Sequence, residues 1–547
     1  MIKQVHNTIL ALAIAGCGFS TNTYAQKPVV NAQVTKAMEQ ANASQLKADI
    51  TYLADDKLKG RQPGTEGYQM AADYVIERLK AYGVQPAGDG GNWLQQVKLR
   101  KAFIAPGAQV SLVKGTNRME LTYGREVTIT PNPQLTAGSV DAPLVFAGYG
   151  ITNTGQKYDD YAGIDVKGKV VLVVRGAPEA FPSSEASHSM DQLTLQKNAA
   201  AHGAVAVILA TVDTTRKMTT NLNRPSYSVI DAQGRVVVSG TYTSEIKMLG
   251  SFGYNTVAQL LQSAGKNISE VTAALKKGTP QSVDLGYTLK STYASTYQDV
   301  NSFNVVGKVT GSDARLKNEY VVHSAHLDHL GIGRPVEGDS LYNGAHDNAS
   351  GVASLLQIAN IYSQIKVKPK RSILFVAVTG EELGELGSGY FALRPTVPVK
   401  SLVADVNTDM PTIIAPLLSV TALGAEHSSL YKVVDQAAAY MDLTVEPDPE
   451  PKENRFVRSD QYSFVKQGIP ALHIKYGSRT PDGKNNLNEL VGKWRAKYYH
   501  KPQDDINGMF DFDAGAKYAR LNFLIGYMVA NDPARPQWNK GDIFATK

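Results

Sequence analysis

The sequence contains one cysteine, Cys17, among its 547 residues. A single thiol excludes a framework of internal disulfides, and it excludes a metal site built from several thiolates. Any metal bound by this chain must therefore be held by histidine, aspartate and glutamate side chains.

Blocks of one charge and long apolar runs are also missing. The net charge is +6, but the lysines and arginines are scattered, so nucleic acid is not the expected partner. Beyond the first 25 residues no stretch is long and apolar enough to span a bilayer. Hydrophobic residues make up 43% of the chain and charged residues 19%, which is typical of a globular protein.

The first 25 residues are predicted to be a signal peptide. Lys3 supplies the positive start, and residues 9–16 (ILALAIAG) supply a short apolar stretch. Cleavage after Ala25 would leave Gln26 first. Alternatively, residues 14–17 (IAGC) resemble a bacterial lipoprotein box, with Cys17 as the lipidated first residue. Either route predicts an exported protein that is periplasmic, secreted or lipid-anchored to the cell envelope.

The rest of the chain is predicted to form an α/β fold. From residue 304, short apolar runs alternate with helical patterns, which indicates a mostly parallel mixed sheet flanked by helices. Between residues 140 and 290 the pattern of apolar residues changes to short runs typical of buried strands, which favours an inserted β-rich domain. We therefore predict an N-terminal part of the main domain at 26–139, the insertion at 140–290 and a C-terminal catalytic part at 291–547.

Acids and imidazoles follow three of the predicted strands. His326 and Asp328 come after YVVHSA, Glu381 and Glu382 come after SILFVAV, and Asp409 comes after LVADVN. In a parallel α/β sheet, ligands collect outside the carboxyl ends of the strands. Carboxylates packed together repel each other and resist ionising, and a cation is the simplest remedy. The sequence therefore predicts a metal site at this edge.

Asp347 lies just before an apolar helix, and His500 lies near the end of the chain. Five protein ligands are more than one open zinc site uses, whereas a pair of metals bridged by a carboxylate accounts for them. Asp347 is the natural bridge, because Asn348 or Ser350 can cap the helix instead. His346 is predicted to be a neighbour of the site rather than a ligand.

Two further assignments follow from spacing. His326 and Asp328 stand at i and i+2, so we predict His326 as a ligand and Asp328 as the carboxylate that orients its ring. His323 and His329 are predicted to be structural.

Glu381 and Glu382 are adjacent. One can bind metal while the other faces a metal-bound water, whose pKa is lowered to about 7, and acts as general base. The residues alone leave open which glutamate has which role.

Several motifs together resemble a known family. They are AHLDH, HDNASG, TGEELGELGS, NTDM, SDQYSF and YYHKPQDD, in this order. The set resembles the zinc-dependent aminopeptidases that share a fold with aminopeptidase Y, glutamate carboxypeptidase and the transferrin receptor. The middle of the chain resembles the protease-associated domain inserted in many members, on the segments FAGYGI, YDDYAGIDVKGKVVLVVRG and GAVAVIL.

The resemblance implies two zinc ions per chain bridged by Asp347, with Glu381 as the general base. The other ligands would be His326 and Asp409 at one ion, and Glu382 and His500 at the other. The implied activity is that of an aminopeptidase, which removes N-terminal residues from peptide or protein substrates through a metal-bound hydroxide. One position departs from the family pattern: Gln461 stands where members commonly have histidine, which puts the substrate preference in doubt.

Three alternatives stay open at this point. A carboxypeptidase needs a basic pocket for the substrate carboxylate, and Arg455 and Arg458 stand just before Asp460. A cyclase of this fold uses one zinc ion. A non-catalytic receptor would have degraded ligand positions, whereas all of the ligand positions are intact here.

Overall fold

The computed structural model describes residues 30–215, 218 and 224–545. The predicted signal peptide and Cys17 lie outside the described residues. In the described part of the chain, no helix combines the length and the apolar character needed to cross a membrane.

The α-helices of the described residues are α1 (Ala32–Met38), α2 (Ala43–Leu53), α3 (Glu66–Ala81), α4 (Ser183–Met190), α5 (Gln192–Ala201), α6 (Tyr254–Ser263), α7 (Ile268–Lys276), α8 (Ser350–Gln364), α9 (Leu386–Leu393), α10 (Leu430–Tyr440), α11 (Gln461–Val465), α12 (Leu487–Tyr498) and α13 (Phe512–Asn531).

The strands are β1 (Gln85–Pro86), β2 (Leu94–Ile104), β3 (Gln109–Lys114), β4 (Asn117–Glu120), β5 (Val127–Ile129), β6 (Ala137–Phe146), β7 (Thr152–Asn153), β8 (Tyr158–Asp159), β9 (Val170–Val174), β10 (Ala206–Ala210), β11 (Ser226–Ile230), β12 (Val236–Ser239), β13 (Met248–Phe252), β14 (Val283–Val309), β15 (Tyr320–His326), β16 (Gly331–Val336), β17 (Asp339–Tyr342), β18 (Ser372–Val378), β19 (Leu402–Asn407), β20 (Ser419–Leu423), β21 (Thr444–Val445) and β22 (Ala471–Tyr476).

The first sheet has a parallel centre. Its strands follow the order β12-β11-β2-β14-β18-β15-β19-β22-β20-β21, and β18, β15, β19 and β22 run parallel to one another. The outer pairs β14–β18 and β22–β20 are antiparallel. The apolar runs that the sequence analysis assigned to strands occupy this centre, which confirms the predicted α/β class.

Both faces of this sheet are covered. In β18, Phe375 packs into a core formed with α8 and α13, whereas Val376 points to the opposite face and packs with residues of α9 and α11. Successive side chains of a strand point to opposite faces, so a strand buried on both sides must be apolar throughout. This explains why these strands appear in the sequence as continuous apolar runs without alternation.

A second sheet carries the inserted β-rich unit. Its strands follow the order β4-β3-β14-β6-β9-β10-β13-β5, and it has apolar clusters of its own. The long strand β14 pairs in this sheet through its first half and in the first sheet through its second half. Strands β3 to β5, which precede residue 140, also pair here. The domain limits at 140 and 290 stay a prediction.

Candidate metal centre

The candidate centre lies at the carboxyl edge of the parallel strands. His326 is the last residue of β15, Asp409 follows β19 by two residues, and Glu381 and Glu382 follow β18. His326 and Asp409 are buried, and Glu382 has a side chain that is only 5% exposed. The neighbouring parallel strands end side by side, so residues far apart in sequence arrive at one place.

Asp347 stands between two groups of donors. One carboxylate oxygen, Oδ1, lies 3.3 Å from His326 Nε2, and the other, Oδ2, lies 3.2 Å from His500 Nε2. His326 Nε2 is also 3.5 Å from Asp409 Oδ1, and His500 Nε2 is 3.2 Å from Glu382 Oε2. The structure thus brings together all five residues proposed as ligands, with Asp347 shared by both groups. Their roles as ligands stay a prediction.

The donor atoms fit a metal better than they fit one another. His326 Nε2, Asp409 Oδ1 and Glu382 Oε1 are buried and have no hydrogen-bond partner of acceptable geometry among the described residues. Buried polar atoms normally have such partners, so three orphans at one place call for another group. Nitrogen and oxygen donors without thiolate suit zinc.

The pKa values of two acids at the centre are also strongly shifted. Burial acts to raise the pKa of Asp347, but His326 and His500 hold it well below its usual range. Burial raises the pKa of Glu381 well above its usual value; His326 opposes this shift, and the adjacent Glu382 adds to it. The pKa values of these two carboxyl groups are therefore shifted in opposite directions, and strongly shifted pKa values are typical of functional sites.

Asp328 differs from its predicted arrangement. His326 Nδ1 lies 3.1 Å from the backbone carbonyl oxygen of Asp328 and 4.0 Å from its carboxylate, which is too far for a hydrogen bond. The chain leaves the strand after His326, and this turn brings the carbonyl to the ring. The Asp328 carboxylate instead accepts the backbone N–H of Glu381 at 3.2 Å. The ring is oriented by a main-chain group, and the carboxylate holds the glutamate turn.

His329 contacts the metal centre, whereas the sequence analysis predicted that it is structural. Its Nδ1 atom lies 2.7 Å from Glu382 Oε1. Single donor atoms of His329, Asp347 and Glu382 all lie within 4.8 Å of one another, a second group that could hold a metal beside the group of His326, Asp347 and Asp409. His329 is thus a candidate ligand next to His500. Its position at the end of the AHLDH motif is the feature of the sequence that could have indicated this role.

The loop that carries Asp347 is held by a residue that the sequence analysis quoted only within a motif. The buried Asp504 carboxylate accepts the backbone N–H of His346 at 2.9 Å and that of Asp347 at 3.1 Å. Asn348 Oδ1 accepts the backbone N–H of Gly351 at 3.0 Å, at the start of α8. Asn348 therefore serves the helix, as expected, while Asp347 is free to face the centre.

His346 and Gln461 lie away from the metal centre. His346 stacks on Phe510 with ring centroids 4.0 Å apart, and its Nε2 lies 2.9 Å from the carbonyl of Met509. Gln461 is fully buried and accepts a hydrogen bond from Asn407 Nδ2 at 3.0 Å. The position that raised doubt about substrate preference is therefore part of the core behind the site.

Two basic side chains that the sequence analysis did not single out hold the Asp409 turn. Lys475 Nζ donates to the carbonyl oxygens of Asp409 at 3.0 Å and Met410 at 2.8 Å. His473 Nε2 lies 2.7 Å from the Asp409 carbonyl. Burial lowers the pKa of Lys475 to about 8. Both residues lie on β22, so the strand next to β19 fixes the turn from behind.

The inserted unit borders the centre on the other side. A cavity of about 490 Å³ is lined by Glu382 and Gly384 of the main domain and by residues of the insertion that include Arg175, Gln192 and Arg224. A molecule that reaches Glu382 through this cavity therefore contacts both units.

Comparison with known families agrees with this architecture. Residues 304–522 match the model of peptidase family M28, and residues 140–244 match the model of the PA domain. The first match contains every proposed metal ligand, and the second lies within the predicted insertion. The chain thus carries a domain of this zinc peptidase family with an inserted protease-associated domain, which confirms the predicted resemblance.

Curated relatives match over part of their length. Carboxypeptidase Q of Rattus norvegicus is 34% identical over 123 residues, which is 22% of this chain and 24% of the relative. A probable zinc metalloprotease of Pyrenophora teres f. teres (strain 0-1) is 35% identical over 111 residues, 20% of this chain and 23% of the relative. These two matches each span about a quarter of the relative's length.

Two solved structures align over most of the chain at low similarity. An aminopeptidase from Aneurinibacillus sp. strain AM-1 is 18% identical and covers 90% of this chain and 95% of its own, with a TM-score of 0.48. A peptidase M28 precursor from Shewanella amazonensis SB2B is 16% identical and covers 92% and 97%, with a TM-score of 0.43.

Proposed function

We propose that the protein is a di-zinc exopeptidase that removes N-terminal residues from peptides. The observation that carries this proposal is the convergence of His326, Asp347 and Asp409 with a second group around Glu382. Buried donor atoms on both sides have no hydrogen-bond partner within the part of the chain that the structure describes. A buried cluster of this composition has no evident structural purpose, whereas it provides the donors that two zinc ions need.

The chemistry expected of the bound zinc pair is polarisation of the scissile carbonyl and a lowered pKa of the attacking water. Glu381 is not among the proposed ligands and stands beside them. In our proposal it takes the proton from the water and passes it to the leaving amine. Asp328 keeps Glu381 in position through the hydrogen bond to its backbone N–H.

The test is a screen of aminoacyl p-nitroanilides and of peptides blocked at either end, with and without chelator. We expect hydrolysis of free-amine substrates that is lost with chelation and restored by zinc. Elemental analysis should find about two zinc ions per chain, and chelation should lower the Tm. Purified, unchelated protein without bound transition metal would exclude the proposal, and a content of one ion would favour the cyclase alternative.

A carboxypeptidase is the second candidate, favoured by one observation. Arg455 and Arg458 line a cavity that also includes Asp409, so a substrate carboxylate could bind next to the metal centre. Peptides that are acetylated at the amine but free at the carboxylate distinguish the two activities. Their hydrolysis at the C-terminal bond would favour the carboxypeptidase.

Export also belongs to the proposal. Mass spectrometry of the mature N-terminus distinguishes its two routes: a chain that begins at Gln26 indicates cleavage after Ala25, and a diacylated Cys17 indicates a lipid anchor.

A further inference from the structure

The turn that carries Glu381 and Glu382 meets the inserted unit at a narrow contact between two glycines. A Cβ atom on Gly240 would lie 2.9 Å from both the Cα and the carbonyl oxygen atoms of Gly384, and a Cβ atom on Gly384 would lie 3.1 Å from the Cα atom of Gly240. Glycine is the residue that allows two backbones to approach so closely. The contact therefore joins main chain to main chain, and no flexible side chain lies between them to absorb a displacement.

Open space lies on either side of this contact. The cavity of about 490 Å³ that reaches Glu382 has Gly240 and Gly384 in its wall, and a second cavity of about 260 Å³ is lined by residues that include Ser239 and Gly384. Because an open cavity supplies no packing against the turn, the glycine contact is a localised support at the boundary between the two units.

On the side of the turn, Gly384 is hydrogen-bonded directly to the residue proposed as the base. Its N–H donates to the carbonyl oxygen of Glu381 at 2.8 Å, and the N–H of Glu385 donates to the same oxygen at 2.9 Å. The intervening Leu383 packs against an apolar cluster that includes Val229 of β11. A shift of Gly384 therefore moves the backbone of Glu381 as well.

On the side of the inserted unit, the contact is made by the loop of residues 239–242, which is firmly held. Strand β12 ends one residue before Gly240 and pairs with β11, which in turn pairs with β2. Ser239 Oγ accepts the backbone N–H groups of Thr241 at 3.2 Å and Tyr242 at 3.1 Å. The start of this loop is therefore fixed to the first sheet.

The end of the same loop is fixed by a buried glutamine of α5. Gln196 is fully buried; its Nε2 donates to the carbonyl oxygen of Thr241 at 2.7 Å, and its Oε1 accepts the backbone N–H of Thr243 at 3.3 Å. Leaving buried hydrogen-bonding groups without partners is costly, so this loop resists displacement. A side chain added at Gly240 would therefore displace the turn in preference to the loop.

We infer that Gly240 is a positioning residue: its contact with Gly384 fixes the turn that presents Glu381 and Glu382 to the metal centre. The inserted unit thus supports the centre directly, in addition to bordering the cavity that leads to it. The inference rests on the proposed exopeptidase, since it names an element that positions the general base of that enzyme.

Gly240→Ala tests the inference by adding one methyl group at the contact. With leucyl p-nitroanilide at saturating zinc, we expect kcat to fall about tenfold to a hundredfold and KM to change less than threefold, because misplacement of a catalytic group by about 1 Å can cost a hundredfold in rate. Zinc should bind about tenfold more weakly in a competition titration with a chelator, since Glu382 lies on the same turn. The Tm should stay close to that of wild type.

Two further variants assign the effect to the contact. Gly492→Ala makes the same change on α12, where an added Cβ atom has no neighbour within 4 Å, and should leave kcat and zinc affinity as they are. Gln196→Leu removes the hydrogen bonds to Thr241 and Thr243 without adding atoms at the contact, so its expected loss of kcat, about threefold, comes through the loop.

Wild-type kcat and zinc affinity in folded Gly240→Ala protein would overturn the inference, and so would a kcat that falls only in proportion to the folded fraction. If Gly240→Ala does not fold, Gln196→Leu decides, and wild-type values of both quantities there contradict the inference. If the wild-type protein hydrolyses no substrate in a chelator-sensitive way, the proposed function fails, whereas the zinc titration still decides whether Gly240 positions the turn.

Discussion

The metal centre and the inserted unit both bury carboxylates, but they satisfy them differently. In the insertion, Asp160 Oδ2 accepts the backbone N–H groups of Tyr149 at 3.0 Å and Ile151 at 3.2 Å, and Oδ1 accepts the Tyr158 hydroxyl at 2.9 Å. In the centre, Asp409 Oδ1 has no such donor among the residues for which the structure gives positions. Burial alone therefore does not mark a site. A metal site is indicated instead by a buried acid that faces imidazoles and other acids and accepts no hydrogen bond.

The largest difference between the two regions should appear in catalysis. We expect Glu381→Ala to lower kcat by about 10²–10⁴-fold, because general base catalysis contributes that much, and to keep its metal. Steady-state kinetics and elemental analysis measure both. The matched control is Glu385→Gln, which alters a nearby glutamate paired with Lys466 at 3.4 Å and should keep most of its turnover. A fully active Glu381→Ala enzyme would mean that the base is another residue.

A smaller effect is expected from the acid that supports the Asp347 loop. Asp504→Ala removes the acceptor for the backbone N–H groups of His346 and Asp347. The supporting groups behind a metal site typically contribute 10–100-fold to affinity, so we expect zinc to bind that much more weakly in a competition titration with a chelator. Asp505→Ala is the control, because its carboxylate accepts from Asn507 rather than from the loop. Equal affinities in the two variants would remove the role assigned to Asp504.

An effect on stability, with none on catalysis, is expected from the satisfied acid of the insertion. Burial raises the pKa of Asp160 from 3.8 to about 7. The protonated carboxyl group therefore stabilises the fold. This contribution is fully present below about pH 4 and is lost as the pH rises through about 7. Asp160→Asn removes the titration, so its stability relative to wild type should increase from pH 5 to pH 8 by roughly 1 to 4 kcal/mol.

Urea unfolding at the two pH values measures this change in relative stability. The ratio of the kcat values of the variant and the wild type should stay the same at both pH values. Asp141→Asn, an exposed acid 2.9 Å from Lys290, serves as the control without a pH-dependent difference of this size. Parallel pH profiles for wild type and Asp160→Asn would show that Asp160 is ionised in the fold throughout.

The parts of the site that could be predicted are those governed by local rules. His326, Glu382 and Asp409 follow apolar runs, and the rule that parallel strands end at one edge is enough to bring them together. A helix-capping residue at Asn348 or Ser350 also follows from the position of these residues at the start of α8. These inferences need only the order of strands and helices along the chain.

Other features depend on the path of the chain after each strand. The Asp328 carbonyl, rather than its carboxylate, meets the His326 ring because the backbone turns at that point. His329 approaches Glu382 through the same turn. A spacing of two or three residues beyond a strand end leaves many directions open, so the sequence could not decide which group makes the contact.

By itself, the sequence determined the type of donor and the α/β class, because a lone cysteine, apolar strands and acids at their ends are properties of composition and order. Its motifs carried the resemblance to the family. Only the tertiary structure decided which donors share Asp347, that Asp504 holds the loop, and that Lys475 holds the Asp409 turn. Those features join segments up to about 160 residues apart, and their positions depend on packing throughout the domain rather than on any one stretch of chain.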